Sequence, residues 1–258
     1  MQPMLEPIVA STRARLAGLL PKADELRDLA TALPATRGFA RALAAPGLAV
    51  IAEVKRRSPS RGVLAASLDP ADRAVRYEAG GAAAISVLTE PDHFDGSDGD
   101  LRAVRAAVSV PVLRKDFTLD PVQVWEARAI GADAVLLILA ILDDHAAAEL
   151  LAVAAEAGLD ALVEVHTETE AERAVALGAA IVGVNNRDLA TFEVDLATSE
   201  RLGPILEGAA VRVAESGIHS GEDALRLRDA GYDAVLVGES LVRSDDPAGL
   251  LRELRGVS

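Results

Sequence analysis

Gly131-Ala-Asp-Ala-Val-Leu136 returns near the end of the chain as Gly231-Tyr-Asp-Ala-Val-Leu236, with looser copies at Gly80-Gly-Ala-Ala-Ala-Ile85 and Gly178-Ala-Ala-Ile-Val182. In each copy a glycine follows a helical pattern, and a short apolar run follows the glycine. Glycine ends helices in the left-handed conformation, so each copy reads as a helix giving way at once to a strand. Along the chain, eight short apolar runs recur: Leu48–Val54, Ala83–Leu88, Val110–Leu113, Ala134–Leu139, Ala161–Val165, Ile181–Val184, Val211–Ala214 and Ala234–Val237. Each is too short for a globular helix. Most carry Val, Ile or Leu on consecutive positions, as parallel strands buried on both faces do. Intervals of roughly 20–35 residues between runs suit one strand–helix unit each.

Eight such units in a chain of 258 residues predict a closed (β/α)8 TIM barrel. An open doubly wound sheet is the alternative. It would carry a Gly-rich phosphate turn after its first strand, and neither a GxGxxG nor a GxxxxGKS/T pattern occurs. Residues 1–46 stand outside the repeat. They are rich in Arg, Ala and Leu at helical spacing, broken at Pro21 and Pro34, and predict a helical extension packed on the barrel. No linker-like stretch divides the chain, so 1–258 reads as one domain.

Composition removes several classes of function. Half the residues are hydrophobic, enough for a sizeable core. There is no cysteine, which excludes disulfides, a thiolate nucleophile and cysteine-ligated metal centres. The formal net charge of −14 argues against duplex DNA or an anionic membrane as partner. Met1 to Ser11 has no basic segment followed by an apolar core, and the longest apolar run, Ala134–Leu142, is far short of a membrane span. A cytoplasmic protein is expected. Lysine is scarce: only Lys22, Lys55 and Lys115 stand among 26 basic side chains. A GC-rich coding bias accounts for the scarcity, but the positions matter, because lysine can titrate near neutrality and arginine cannot.

A barrel builds its active site at the C-terminal ends of its strands. There the sequence places Glu53 and Lys55 at the end of the first run, His93 and Phe94 after the second, and Lys115 and Phe117 after the third. Glu164 and His166 stand at the end of the fifth run, Asn185 and Arg187 follow the sixth, Glu215, Ser216 and Gly217 the seventh, and Gly238, Glu239 and Ser240 the eighth. Taken singly, each reads as a solvated loop residue. Taken together, Glu53, Lys55, Lys115, Glu164, Asn185 and Glu215 converge on one pocket, where charges must pair and shift each other's pKa. The Ser216-Gly217 and Gly238-Glu239-Ser240 turns lie where this fold binds phosphate through backbone N–H groups. Lys55, Arg56, Arg57, Lys115 and Arg187 would supply local positive charge in an acidic protein. The four histidines show no metal-ligand spacing, Glu164 with His166 being the best pair, and no GxSxG elbow occurs. No metal site is expected.

Six segments, in order, resemble the indole-3-glycerol-phosphate synthase family: Ile51-Ala-Glu-Val-Lys-Arg-Arg-Ser-Pro-Ser60, Ser86-Val-Leu-Thr-Glu90 with Phe94-Asp-Gly96, Pro111-Val-Leu-Arg-Lys-Asp-Phe117, Leu162-Val-Glu-Val165, Gly183-Val-Asn-Asn-Arg-Asp-Leu189 and Val213-Ala-Glu-Ser-Gly-Ile218. The resemblance implies a ring closure of 1-(2-carboxyphenylamino)-1-deoxyribulose 5-phosphate with loss of carbon dioxide and water, and no cofactor. It implies that Lys115 matches the family's general acid and Glu164 its general base, and that Lys55 binds substrate and shares proton transfer. Glu53, Asn185 and Glu215 match further active-site positions. Ser58, Phe94, Phe117 and Arg187 match substrate contacts, and Ser216, Gly217, Gly238 and Glu239 match the phosphate site. Glu239 sits uneasily beside a phosphate, so its role there is assigned to its backbone.

The chemistry agrees with these residue types. A lysine can protonate the carbonyl, especially where cationic neighbours lower its pKa, and a glutamate in a partly apolar site can be the base. Arg114 points to the face opposite Lys115. Phe94 and Phe117 would wall an aromatic ring. Two alternatives stay open at this point: a sugar-phosphate isomerase barrel, which uses Asp/Cys or Asp/Asp pairs, and a non-catalytic binding or scaffold barrel. The expected partner is a phosphorylated small molecule, not nucleic acid or membrane, and the expected state is a monomer or weak homo-oligomer.

Overall fold

The computed structural model describes residues 5–59 and 62–257. Ser60, the last residue of the first matching segment, lies outside the described residues, as do Met1 to Met4 at the start of the expected non-targeting terminus. Eight parallel strands close into a barrel: β1 (Ala49–Val54), β2 (Ala84–Leu88), β3 (Val112–Lys115), β4 (Ala134–Ile138), β5 (Asp160–Val165), β6 (Ile181–Asn185), β7 (Val211–Glu215) and β8 (Ala234–Val237). Each pairs with the next, and β8 closes on β1 in the register Ala49–Ala234 to Ala52–Val237. The neighbours flank one another in chain order, as a barrel wound from strand–helix units requires. Among the described residues, no helix is long and apolar enough to cross a membrane.

Alternation along each strand sorts the side chains into two cores. Ile51, Leu113, Leu136, Leu162, Ile181, Val213 and Leu236 fill the barrel interior. Val50, Val87, Val163, Val182 and Val235 face outward and pack with helix residues such as Leu101, Leu150 and Leu227. Each such side chain contributes about 1.5–3 kcal/mol by leaving water. The third strand begins two residues later than its apolar run and runs on to Lys115. Pro111 has no N–H for the ladder, and the Val112 N–H donates to the Asp133 carboxylate at 2.8 Å.

The repeated hexapeptide has a physical meaning that its hydropathy does not show. Gly131 and Gly231 adopt φ values of 98° and 89°, the left-handed turn between helix and strand. The aspartate two residues later reaches sideways. Asp133 accepts from the N–H of Val112, and Asp233 accepts from the N–H of Arg212 at 2.8 Å. Each copy therefore pins the start of the strand before it.

The N-terminal segment runs along the barrel from one end to the other. α1 (Leu5–Leu19) lies over the mouth, where Leu5 and Ile8 join Phe117 and Leu189. Its Arg15 donates to Glu90 at 3.0 Å and to Asp116 at 3.4 Å. α2 (Ala23–Thr31) packs along the helix Pro121–Ala129, with the Arg27 guanidinium 5.2 Å from the Trp125 ring centroid. Arg37 then donates to the Val110 carbonyl at 2.9 Å, and its own N–H donates to Asp133 at 2.7 Å. α3 (Phe39–Leu43) closes the floor. Phe39 and Leu43 are fully buried in the same cluster as Ala49, Ala84, Val211 and Ala234, which stand at or near the lower ends of their strands.

Candidate active site

The inward rows of the strands continue upward from apolar to charged. Ile51 is followed on its face by Glu53 and Lys55, Leu113 by Lys115, Leu162 by Glu164, and Val213 by Glu215. Glu53, Lys115, Glu164 and Glu215 thus come from the four odd strands. The even strands supply small or apolar partners, among them Ser86, Ile138 and Gly183, which leave room for the long side chains between them. At Gly183 the fit is tight. A Cβ there would collide with Oε1 of Glu215, so glycine is required for the carboxylate to lie across β6.

Above this layer lies a cavity of about 220 Å³. All the residues expected at the site line it: Glu53, Lys55, Ser58, Phe94, Lys115, Phe117, Glu164, Asn185, Arg187, Glu215, Ser216, Gly217, Gly238 and Glu239. The Phe94 and Phe117 rings stand 6.3 Å apart at 38°, a tilted pair forming one apolar wall. Leu5 and Ile8 of α1 complete that side. The short helix Pro91–Phe94 is fixed by the fully buried Glu90, whose carboxylate accepts the N–H groups of Asp92, His93 and Phe94.

The charges form one connected group. Lys115 Nζ lies 3.2 Å from Glu164 Oε2 and 3.7 Å from Glu215 Oε2, and Lys55 pairs with Glu53. Burial works to lower the Lys115 ammonium, but Glu164, Glu215 and Glu53 outweigh it and hold it above the ordinary lysine range. This corrects the expectation of cationic neighbours: anionic neighbours surround Lys115 and raise it. Burial opposes ionisation of Glu164 too, but Lys115 and His166 reverse the balance and hold its carboxyl well below the usual range. Glu215 goes the other way. Burial, with the repulsion of Glu164 and Glu53, pushes it up, and its Oε1 has no hydrogen-bond partner. The site therefore holds one ionised and one protonated glutamate within reach of one lysine, the separation that acid–base chemistry uses.

The cationic cluster expected from sequence is smaller than its residues suggested. Arg56 turns away to Asp100, with Nη2 to Oδ1 at 2.9 Å, and neither it nor Arg57 lines the cavity. Arg187 does line it, and donates to the Phe192 carbonyl at 3.2 Å. Arg114 lies on the opposite face from Lys115, buried against Asp98 at 3.1 Å and Glu126 at 2.8 Å.

At the far end of the cavity the backbone turns sharply. Ser216 and Gly217 both adopt positive φ, 67° and 82°. For serine that conformation costs about 1–3 kcal/mol and persists only where the surroundings enforce it. Asn186 enforces it, donating to the Ser216 carbonyl at 3.2 Å while its own side-chain oxygen accepts from Ser199. Glu239 lines the same end, and its carboxylate lies 3.3 Å from Arg243.

Several residues here were not singled out by sequence. Asn186 acts behind Ser216, and a buried support has no strand-end signature. Leu5 and Ile8 come from a prefix whose path over the mouth its helical pattern does not reveal. His219 lines the cavity beside the Ser216-Gly217 turn, with its Nδ1 2.8 Å from the Oγ of Ser240.

The family model for indole-3-glycerol phosphate synthase matches residues 5–254. A relative from Nocardioides of that name is 54% identical over 98% of this chain and 98% of its own. The one from Mycolicibacterium smegmatis is 51% identical over 97% of this chain and 93% of its own, and that from Streptomyces griseus is 50% identical over 97% and 94%. Among solved structures, a 3-hexulose-6-phosphate synthase covers 82% of this chain and all of its own at a TM-score of 0.65 and 20% identity, which shows the shared barrel alone.

Proposed function

Because the chain belongs to the indole-3-glycerol phosphate synthase family, we propose that this cavity is its active site and that Lys115 and Glu164 carry its proton transfers. The reaction is the decarboxylating, dehydrating ring closure of 1-(2-carboxyphenylamino)-1-deoxyribulose 5-phosphate to indole-3-glycerol phosphate, in tryptophan biosynthesis. The chain is thus a carbon–carbon lyase, which sets aside the isomerase and scaffold alternatives.

The aromatic carbon bearing the carboxylate attacks the ketone carbon of the sugar. The carbonyl oxygen gains an electron pair and takes a proton from Lys115. An ammonium held above its ordinary range is fully protonated at neutral pH and still acidic enough for an alkoxide. The carboxylate then leaves as carbon dioxide, and its bonding pair restores the aromatic ring. In the last step the hydroxyl leaves as water with a proton from Lys55, while Glu164 removes a proton from the new ring. Glu164 then lies 3.2 Å from the neutral Lys115 amine and can return a proton to it. Lys55 is recharged from solvent, which accounts for the proton consumed in releasing carbon dioxide from a carboxylate.

The remaining assignments follow the cavity. Glu53 positions Lys55 by pairing with it. Protonated Glu215, with a free Oε1, meets a sugar hydroxyl, and Asn185 orients the same part of the substrate. Phe94 and Phe117 stack along the anthranilate ring, with Ser58 and Arg187 as polar contacts. Backbone N–H groups of Ser216, Gly217, Gly238 and Glu239 hold the phosphate, and pairing with Arg243 accounts for the Glu239 side chain beside an anion. One chain supplies every group, which supports action as a monomer or weak homo-oligomer, and the substrate class supports a cytoplasmic site.

The observation that carries this reading is the Lys115–Glu164 contact at the base of a mostly apolar cavity. Indole fluorescence after addition of the substrate tests it. Lys115→Ala and Glu164→Gln should each lose at least about a hundredfold in kcat. Near-wild-type turnover by either would remove that residue from its role.

A further inference from the structure

We propose that His166 is a positioning residue for Glu164: held between Glu164 and Glu170, it remains an imidazolium that aims the Glu164 carboxylate and keeps it ionised through the catalytic cycle. This rests on Glu164 acting as the base.

His166 follows β5 at the same inward parity as Glu164 and is buried. Its Nε2 lies 3.2 Å from Glu164 Oε1, off the line of a hydrogen bond and so an ionic contact. Its Nδ1 lies 3.3 Å from Glu170 Oε2, and the same oxygen accepts the His166 backbone N–H at 2.7 Å. Glu170 belongs to the first turn of the helix Glu168–Ala176. A neutral imidazole always presents one bare lone pair, and here each ring nitrogen that could carry it stands beside a carboxylate oxygen, at 3.2 Å from Glu164 and 3.3 Å from Glu170. Only the imidazolium suits both neighbours. Burial alone would lower the ring's pKa, but Glu164 and Glu170 raise it to about 9. The other charged groups around it are Lys115 on β3, Glu215 on β7 and Asp188 in the loop after β6.

The arrangement is a chain of alternating charge: Glu170, His166, Glu164, Lys115. Lys115 holds one oxygen of Glu164 and His166 stands against the other. Lys115 gives up its proton in the first step, and Glu164 then loses that compensating charge before its own proton transfer. His166 is the cation that does not take part in the chemistry. It keeps the carboxylate charged and in place at the stage when Lys115 cannot.

The test is a set of pH–rate profiles. His166→Gln keeps a neutral N–H donor and removes the charge. Its kcat should fall about tenfold to a hundredfold, with KM changed less than about threefold, as expected for a misplaced base. The acidic limb of its kcat profile should move up by about one pH unit, because Glu164 has lost a neighbouring cation. Glu170→Gln should leave the acidic region near wild type and lose activity above neutral pH, where His166 now deprotonates. Histidine labelled with 15N gives a reading in the wild type that needs no variant to fold: the buried ring should carry protons on both nitrogens at pH 8. A neutral His166 ring at pH 7, or a His166→Gln profile superimposable on wild type, overturns the proposal. Glu164→Gln separates the two levels. If it is inactive while His166→Gln is unaffected, the base stands and the role of His166 falls. If Glu164→Gln keeps turnover, the base assignment fails first.

Discussion

Gly183→Ala adds one methyl group beneath the charged layer and should disable the enzyme without unfolding it. The backbone at Gly183 is an ordinary strand conformation, so alanine brings no dihedral strain. The cost is steric. The new Cβ would lie well inside contact distance of Glu215 Oε1 and 3.1 Å from Leu162 Cδ1. The carboxylate must retreat by about 1 Å to regain an ordinary contact. It has little room, because Lys115 Nζ stands 3.7 Å from the other oxygen. Overpacking of this kind costs about 1–3 kcal/mol, which in a chain of this size lowers Tm by roughly 2–12 °C. A displacement of about 1 Å in a group that positions substrate costs on the order of a hundredfold in kcat. Gly208→Ala is the control, since a Cβ there meets nothing nearer than Val175 Cγ1 at 3.9 Å. Indole fluorescence gives kcat, and calorimetry gives Tm. If Gly183→Ala kept kcat within twofold of wild type, Glu215 would not need the position it occupies, and its assigned role would be wrong.

Glu215→Gln should raise Tm at pH 8 and leave it unchanged at pH 4. A carboxyl whose folded pKa is raised contributes stability below its unfolded value and loses it as pH climbs through the folded one, so a neutral amide helps only on the alkaline side; an equal effect at both pH values would refute the raised pKa. Phe39→Ala opens a void in the barrel floor and should cost about 3–5 kcal/mol in denaturant unfolding while KM of the folded fraction stays the same. Arg15→Ala frees α1 from Glu90 and Asp116 and should raise KM about fivefold, with Tm lowered by roughly 2–4 °C, as expected for a partly exposed ion pair worth about 1 kcal/mol; a loss confined to kcat would show that α1 does more than cover the mouth.

The barrel was legible because its strands are buried on both faces, which leaves unbroken apolar runs such as Ile181–Val184. Strand ends were less so. Val110 and Pro111 are as apolar as Val112, and only the missing N–H of Pro111 and the reach of Asp133 decide where the ladder starts. The convergence of Glu53, Lys115, Glu164 and Glu215 followed from their places at the strand ends of a barrel, but their electrostatics did not. That Lys115 is ringed by carboxylates depends on packing across the barrel, between residues far apart in sequence. His166 was visible beside Glu164 and read as a weak metal pair. Its partner Glu170 sits on the next helix and closes on it only once the turn is formed. Supports such as Asn186 leave no pattern, since one buried amide looks like any other.

The path of the N-terminal segment has a consequence for how the chain is made. α3 plugs a floor bounded by β1 at one end of the sequence and β8 at the other. That socket is complete only when the eighth strand has paired with the first, so α3 waits for its full seat until β8 has been made, although α1 and α2 meet partners on earlier strands and helices. Premature stops that spare everything up to β7 would leave Phe39 and Leu43 without the β8 side of their socket, an apolar surface open to chaperones and proteases. Burial of α3 thus registers closure of the barrel, since its full seat forms only where the two ends of the sheet meet.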